Sequence, residues 1–349
     1  MGCSHGTSAL QVDGDFPLQY SIGTEIGAGS FGKVHEATHR ESGVVRAVKV
    51  INIRKGSHKA VLEAWEEERA WRRVGNHNNI VQLCSVFGGD RSFFMVMERC
   101  EGSLMDRLPD IVGSDGHGLR AAFKQMLKGL AQVHKRRVVH RDIKPANFLV
   151  GGPDGRTIKL CDFGMSAVES RNGGELLSGT FGTTPYMSPE MVGKLGHDRS
   201  TDIWSFGATA YVMVFGDVPY NPRTRSPKDI KVAILYGAPA PSFKCAASKA
   251  PSRKQPSQAT VTFVKSMMQR EPYSRKSADE LLRQTYLSPS DTQEKLLRAR
   301  SNSINSLLSV MMDGGDAHMS ITSTKTGGTQ SRSATNSTLA SSSAFSMEG

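Results

Sequence analysis

The 349-residue sequence lacks any long apolar run. The longest, at about Phe206 to Gly216, is far shorter than the roughly 18 to 20 residues that a membrane-crossing helix needs. Residues 1–20 also have neither the basic start nor the apolar core of a secretory signal. We therefore expect a cytoplasmic protein without a transmembrane helix.

Cysteine is also scarce. The five cysteines, at positions 3, 84, 100, 161 and 245, form no pair with the spacing of a disulfide or a metal site. This pattern excludes a disulfide scaffold and indicates a reducing compartment.

Acidic residues number 33 against 44 lysines and arginines, which gives a formal net charge of +11. Much of the excess lies between Arg223 and Lys254, where eight basic residues accompany a single acid, Asp229. The segment is rich in Pro, Ser and Ala and has only Tyr236 and Phe243 to stack on bases. We interpret it as a solvated basic loop and expect no nucleic-acid partner.

The composition divides the chain into three parts. Residues 1–19 are polar and are expected to form a flexible extension, whereas residues 20–287 carry the patterns of a folded domain. Between 301 and 349 there are 13 Ser and 6 Thr but one aromatic residue, Phe345. Because such a segment buries too little apolar surface to offset its ordering entropy, residues 288–349 are expected to be a largely disordered tail.

Within the folded part, alternating β-branched residues predict strands before and after a Gly-rich turn, followed by a charged helix from about His58 to Val74. Two more strands follow around residues 80–99, and helical spacing dominates from Leu119 onward. The pattern predicts an α+β protein with a small β-rich N-lobe (about 20–100) and a larger helical C-lobe (about 101–287).

The Gly-rich turn is the first feature that indicates a chemistry. Glycines at 27, 29 and 32 allow backbone amides to approach phosphate oxygens closely. A dinucleotide fingerprint would require a helix after the turn, but the next segment reads as a strand, so we favour a β-hairpin. In a later strand Lys49, within Ala47-Val48-Lys49, would place an ammonium beneath the hairpin.

Two motifs in the second half are more specific. They are His140-Arg141-Asp142-Ile143-Lys144-Pro145-Ala146-Asn147 and Asp162-Phe163-Gly164. With the Gly-rich hairpin and Lys49, the chain resembles the eukaryotic protein kinase family over roughly residues 20–287. The resemblance implies a bilobal fold with ATP between the lobes, and transfer of the γ-phosphate to protein hydroxyl groups.

The resemblance also implies a role for each catalytic residue. Asn147 and Asp162 would hold Mg²⁺, for which their oxygens are suitable ligands. Asp142 would accept the proton of the acceptor hydroxyl. Lys144, two residues later, is similar to the Ser/Thr-directed version of the motif, so we expect Ser and Thr acceptors in protein substrates.

Lys49 needs an acidic partner from the charged helix, where Glu66, Glu67 and Glu68 are candidates. The family's helix carries apolar residues three, four and seven positions after this glutamate. Glu67 meets that pattern with Ala70, Trp71 and Val74. We therefore choose Glu67 and expect the other two glutamates on a solvated face.

The resemblance also implies the residues of the nucleotide site, from their positions relative to the family's motifs. Met97 is similar to the gatekeeper, and the backbone of Glu98 and Cys100 would form the hinge that binds adenine. Val34, Ala47 and Leu149 would enclose the ring, and the hairpin residues Gly27, Ala28, Gly29, Ser30, Phe31 and Gly32 would cover the phosphates.

Other residues resemble the family's structural and regulatory positions. Glu190 would pair with Arg275, and Asp202 would brace the catalytic loop through backbone N–H groups. Gly179 occupies the place that is most often phosphorylated, with Ser178 and Thr180 beside it. Residues 176–183 are most similar to the calcium/calmodulin-dependent protein kinase kinase subgroup, which lacks a phosphorylated residue there. We therefore expect activity without strict dependence on loop phosphorylation.

Both ends of the chain carry weaker signals. Gly2 and Cys3 half-match a myristoyl plus palmitoyl signal, and two acyl chains would attach the protein stably to a membrane. Residues 294–312 combine basic and apolar positions that are typical of an autoinhibitory or calmodulin-target segment. We expect a monomer. A catalytically silent scaffold and a membrane-tethered adaptor acting through its tail remain as alternative functions.

Overall fold

The computed structural model describes most of the predicted folded part. The described residues are 16–29, 32–53, 58–88, 92–112, 117–170, 175–245 and 255–288. The predictions for Gly2, Cys3, Ser30, Phe31 and 294–312 lie outside these ranges.

The described N-terminal part begins with a short helix, α1 (Phe16–Gln19), and forms an antiparallel sheet. Its strands, in the spatial order β1-β2-β3-β5-β4, are β1 (Tyr20–Gly29), β2 (Gly32–His39), β3 (Val45–Asn52), β4 (Leu83–Gly88) and β5 (Ser92–Met97). Alternation of apolar side chains fixes the register, which sets Ala47 opposite Met97 and Lys49 opposite Met95. The Gly-rich segment thus lies in a β-hairpin, as predicted.

Helix α2 (His58–Val74) packs against this sheet and has the bounds expected from the sequence. Ala70, Trp71 and Val74 are buried, and Trp65 contacts Phe93 edge to face at 4.9 Å between ring centroids. Their helical spacing forms one apolar face, so the packing also fixes the direction in which the glutamates point.

The larger C-terminal lobe is mainly helical. Its described helices are α3 (Leu104–Val112), α4 (His117–Lys135), α5 (Pro189–Val192), α6 (Ser200–Phe215), α7 (Pro227–Tyr236), α8 (Gln258–Met267) and α9 (Ala278–Leu282). Helix α6 is buried on nearly all sides, and its Phe206 meets Phe123 of α4 edge to face. The architecture confirms the predicted α+β class with a β-rich N-lobe and a helical C-lobe.

Short strands also occur in the helical lobe, which the helical patterns did not predict. Strands β6 (Gly102–Ser103), β8 (Phe148–Gly151) and β9 (Thr157–Leu160) form one small sheet, and β7 (Val138–Val139) pairs with β10 (Ala167–Val168). They precede and follow the segment from His140 to Asn147, so they hold both ends of the predicted catalytic loop.

The prediction of a solvated loop at 223–254 is wrong for its described helical part. Helix α7 begins after the N-cap Ser226, ends at Tyr236 and buries Ile230, Ala233 and Ile234. These apolar residues have helical spacing, which the surrounding basic and Pro-rich composition obscured. Residues 246–254 lie outside the described ranges.

Across the described ranges, we find no helix with the length and apolarity to cross a membrane.

A buried ion pair connects distant parts of the C-lobe, as expected. Both guanidinium Nη atoms of Arg275 donate to the carboxylate of Glu190, at 2.6 and 2.8 Å, and both residues are buried. Arg275 also donates to the backbone carbonyls of Gln269 and Ser200. The pair therefore joins the segment that follows Tyr186 to the segment around Arg275, near the C-terminal end of the lobe.

Glu190→Ala is expected to lower the free energy of unfolding by about 3–5 kcal/mol, because it leaves the buried guanidinium of Arg275 without its counter-charge. Urea unfolding checks this value. Glu41→Ala, at an exposed turn position, is the matched control. A Glu190→Ala midpoint equal to that of the control would contradict the structural role of the pair.

Candidate active site

A cavity of about 560 Å³ lies between the N-terminal sheet and the helical lobe. Its lining includes Gly27 and Ala28 of the hairpin, Lys49 of β3 and Glu67 of α2. The further predicted residues on its wall are Val34, Ala47, Met97, Glu98, Cys100, Asn147, Leu149 and Asp162. Residues far apart in sequence are thus brought to one concave site.

Among the predicted hairpin residues whose burial the structure describes, Gly32 does not line this cavity. Gly29 is the last residue of β1, and Gly32 is the first of β2. A Cβ at Gly32 would overlap the backbone carbonyl of Val50 in β3. Close approach of two strands explains this glycine without any contact to phosphate.

Lys49 lies at the centre of a buried ionic cluster. Its Nζ donates to both carboxylate oxygens of Glu67, at 2.7 and 2.8 Å, and to Oδ1 of Asp162 at 3.1 Å. Burial disfavours the ammonium, but the charges of Glu67 and Asp162 outweigh it, so the pKa of Lys49 is raised. Lys49 is therefore a permanent cation at the cavity wall.

The three adjacent glutamates of α2 have different surroundings. Glu67 faces Lys49, and Glu66 is exposed. The expectation of a solvated Glu68 is wrong, because its side chain is buried and forms an ion pair with Arg72, one turn later on the helix. Residues four positions apart are neighbours on a helix, so Arg72 supplies the counter-charge for this buried carboxylate.

The catalytic loop is held from below by Asp202, in the first turn of α6. Its carboxylate accepts the backbone N–H groups of His140 and Arg141, both at 2.8 Å, and contacts Nε2 of His134 at 2.9 Å. Burial opposes ionisation, but the hydrogen bond and charge of His134 and the charge and backbone N–H of His140 outweigh it and lower the pKa of Asp202. The predicted bracing role of Asp202 agrees with this geometry.

Asp142 is surrounded by hydrogen-bond donors. Lys144 Nζ donates to Oδ2 at 2.8 Å, whereas the backbone N–H and the hydroxyl of Thr183 donate to Oδ1 at 2.9 and 2.8 Å. Lys144 also donates to the Thr183 hydroxyl at 2.9 Å. These donors hold the carboxylate in a fixed orientation, which is what a positioned general base requires.

Asn147 and Asp162 provide oxygen ligands at the same cavity. The amide nitrogen of Asn147 donates to the backbone carbonyl of Asp142 at 2.8 Å, so the carbonyl oxygen of the side chain is left for a cation. Burial opposes ionisation of Asp162, but the charge and hydrogen bond of Lys49 outweigh it and lower its pKa. One amide oxygen and one carboxylate fit a hard divalent cation, which prefers oxygen ligands.

The predicted hinge follows β5. The side chain of Glu98 accepts the backbone N–H of Gln82 at 2.7 Å and pairs with Lys159 at 3.0 Å, so its polar head is already occupied. Burial raises the pKa of the Cys100 thiol to about 12, which keeps the thiol protonated. The Glu98 carboxylate is thus already paired, and the Cys100 thiol is unreactive.

The sequence analysis missed several residues of the cavity wall. Trp71 packs on Phe163 with ring centroids 5.5 Å apart, and its Nε1 donates to the carbonyl of Val81 at 2.7 Å. It was predicted as part of the buried face of α2, but that pattern cannot show which buried residue reaches the site. The other lining residues that were not predicted are Ile26, Arg99, Glu101, Gly102, Ser103, Asp106, Ala146 and Cys161.

The lobes, the cavity and the cluster of Lys49, Asp142, Asn147 and Asp162 define the class of this protein. Residues 20–287 match the family model described as the protein kinase domain, and the chain belongs to this family.

Similar curated proteins include several protein kinases. The serine/threonine-protein kinase TIO of Arabidopsis thaliana is 33% identical over 201 residues, which cover 58% of this chain and 15% of the relative. A probable myosin light chain kinase of Dictyostelium discoideum is 31% identical over 220 residues, which cover 63% of this chain and 67% of the relative. CBL-interacting protein kinase 20 of Oryza sativa subsp. japonica is 37% identical over 214 residues, which cover 58% of this chain and 46% of the relative. The chain thus spans only part of the relatives it matches.

Proposed function

We propose that this chain is an active serine/threonine protein kinase that transfers the γ-phosphate of ATP to Ser and Thr hydroxyl groups of proteins. The observation that carries the proposal is the fixed carboxylate of Asp142, flanked by Lys144 and Asn147, beside a cavity that Lys49 and Asp162 also reach. Each group supplies what phosphoryl transfer requires: cations, metal ligands and an acceptor of a proton.

The reaction assigns each group a task. Asp142 orients the acceptor hydroxyl and takes its proton as the hydroxyl oxygen bonds to the γ-phosphorus. The bond from that phosphorus to the β,γ-bridging oxygen breaks, and ADP leaves with the electron pair. Lys144 stabilises the negative charge that develops on the transferred group, and Lys49 holds the phosphates on the other side.

Asn147 and Asp162 would hold Mg²⁺, which when bound neutralises phosphate charge. The hairpin from Gly27 to Gly32 would cover the phosphates, and the backbone of Glu98 and Cys100 would bind adenine beside Met97. Val34, Ala47 and Leu149 would enclose its ring.

The proposal extends to the organisation and partners of the chain. We assign residues 20–287 to the kinase domain, with lobes meeting near residue 100, and treat residues 1–19 and 288–349 as extensions. Protein substrates are its partners. Membrane attachment through Gly2 and Cys3, and an autoinhibitory or calmodulin contact at 294–312, belong to the proposal as regulatory features of a cytoplasmic monomer.

The competing function is a catalytically silent scaffold with the same fold. It is disfavoured because Lys49, Asp142, Asn147 and Asp162 are all present, whereas a scaffold has no need of the whole set.

The two functions are distinguished by incubating the protein with Mg²⁺, γ-labelled ATP and a generic basic protein as the phosphate acceptor. The proposal requires label on phosphoserine or phosphothreonine and none on phosphotyrosine. Label transferred only to tyrosine, or ATP binding without any transfer, would refute it.

Activity is expected to persist without phosphorylation of the loop before α5. Ser178 is exposed, and the Thr180 hydroxyl donates to the carbonyl of Met191 at 3.3 Å. The double variant Ser178→Ala/Thr180→Ala is therefore expected to retain wild-type kcat within about threefold, which corresponds to less than 1 kcal/mol. Abolished turnover in this variant, with an unchanged unfolding midpoint, would contradict the expectation.

A further inference from the structure

The side chain of Arg141 lies under the loop that precedes α5. Its Nε donates to the carbonyl of Met165 at 2.5 Å, and an Nη donates to that of Ser166 at 3.4 Å. Within the part of the chain that the structure describes, no carboxylate forms a salt bridge with this guanidinium. Burial lowers the pKa of Arg141 to about 10, although the charges of Asp202 and Glu66 oppose the shift. Its charge needs another source of stabilisation.

The ring of Phe181 covers the guanidinium. The central guanidinium carbon lies 3.8 Å from the ring centroid, within the range of a cation–π contact. The negative face of the ring thus takes the place of an anionic group, and the half-buried position of both residues reduces competition from water.

Two glycines allow the ring to reach this position. Gly179 has φ of +95°, and a Cβ there would overlap the ring of Phe181. Gly182 has φ of +90°, and a Cβ there would overlap the backbone carbonyl of Arg141. At Gly182 the loop therefore lies directly on the catalytic loop, and at Gly179 it lies against the ring of Phe181.

The next residue after this contact is Thr183, whose backbone N–H and hydroxyl donate to Asp142. We infer that Phe181 is a positioning residue: its ring, stacked on Arg141, fixes residues 179–183 on the catalytic loop and thereby holds Thr183 on Asp142 without any phosphate. This inference rests on the proposed kinase function and adds to it the means by which the loop is ordered.

The test compares Phe181→Leu, which keeps apolar bulk but removes the ring, with Phe181→Tyr, which keeps the ring face. Phe243→Leu is the matched control, because Phe243 also faces a cation, Lys265 at 4.7 Å, but packs on Tyr211 and Phe215. Phe181→Leu is expected to lower kcat about 2- to 30-fold with little change in the KM for ATP. Phe181→Tyr and Phe243→Leu should retain most activity.

Hydrogen exchange provides a readout that does not depend on activity. Exchange at the Thr183 amide should accelerate in Phe181→Leu and stay unchanged in Phe181→Tyr and Phe243→Leu. Wild-type kcat and exchange in Phe181→Leu, or equal losses in Phe181→Leu and Phe181→Tyr, would overturn the inference. An inactive wild type in which Thr183 exchange is faster only in Phe181→Leu would refute the kinase function but support the positioning role of Phe181.

Discussion

Asp142→Asn is expected to reduce kcat about 10²- to 10⁴-fold, the usual contribution of a positioned general base. The amide occupies nearly the same volume, so the contacts that Asn147 makes with the backbone of Asp142 persist. An amide does not accept the hydroxyl proton, and it binds Lys144 less strongly than a carboxylate does. Binding of ATP should change little, because Asp142 lies beside the nucleotide cavity rather than on its wall.

Steady-state kinetics with a Ser-containing protein, together with ATP binding by calorimetry, measure this effect. Asp154→Asn is the matched control, since Asp154 lies in the exposed turn between β8 and β9. Equal transfer by wild type and Asp142→Asn would show that the signal comes from a contaminating enzyme or that Asp142 has no catalytic role.

Lys49→Met is expected to reduce phosphate transfer at least about 100-fold, because the cation that orients phosphates in a water-excluded site is lost. The same change leaves the buried carboxylate of Glu67 without its partner. We expect a loss of about 3–5 kcal/mol in the free energy of unfolding, as for other broken buried pairs. Lys59→Met, an exposed lysine on α2, should alter neither quantity.

A double variant separates the two consequences of Lys49→Met. In Lys49→Met/Glu67→Gln no buried charge remains unpaired at this position of α2, so urea unfolding should show that most of the lost stability returns. Transfer should stay low, because the ammonium is still missing. Recovery of transfer together with stability would contradict a direct role of Lys49 and leave it a structural residue.

The main residues of the site were predictable because motifs at 140–147 and 162–164 resemble those of the kinase family. That resemblance places apolar residues three, four and seven positions after the partner of Lys49, which selects Glu67 among three glutamates, and the structure pairs Glu67 with Lys49. Likewise, β-branched alternation on both sides of the glycines predicts the hairpin. Such patterns state which face of an element is buried, and burial determines where the remaining side chains point.

Other features depend on contacts between distant segments. The stacking of Phe181 on Arg141 joins residues 40 positions apart, and no periodicity signals it. The burial of Glu68 is a local feature, since its partner Arg72 lies four positions later on the same helix, but apolar spacing alone does not reveal it. Helix α7 was not predicted, for a different reason. The interpretation of its segment gave more weight to the basic composition than to the helical spacing of Ile230, Ala233 and Ile234.

The central claim is that Asn147 and Asp162 hold a divalent ion on nucleotide beside Asp142. The most direct test is a Mg²⁺ titration of phosphate transfer at fixed ATP, for wild type and Asp162→Asn. We expect saturable Mg²⁺ dependence in the wild type. In Asp162→Asn the half-saturating Mg²⁺ concentration should rise about 10- to 100-fold, equivalent to about 1.4–2.7 kcal/mol of lost metal binding. Superimposable Mg²⁺ curves for the two proteins would contradict the account.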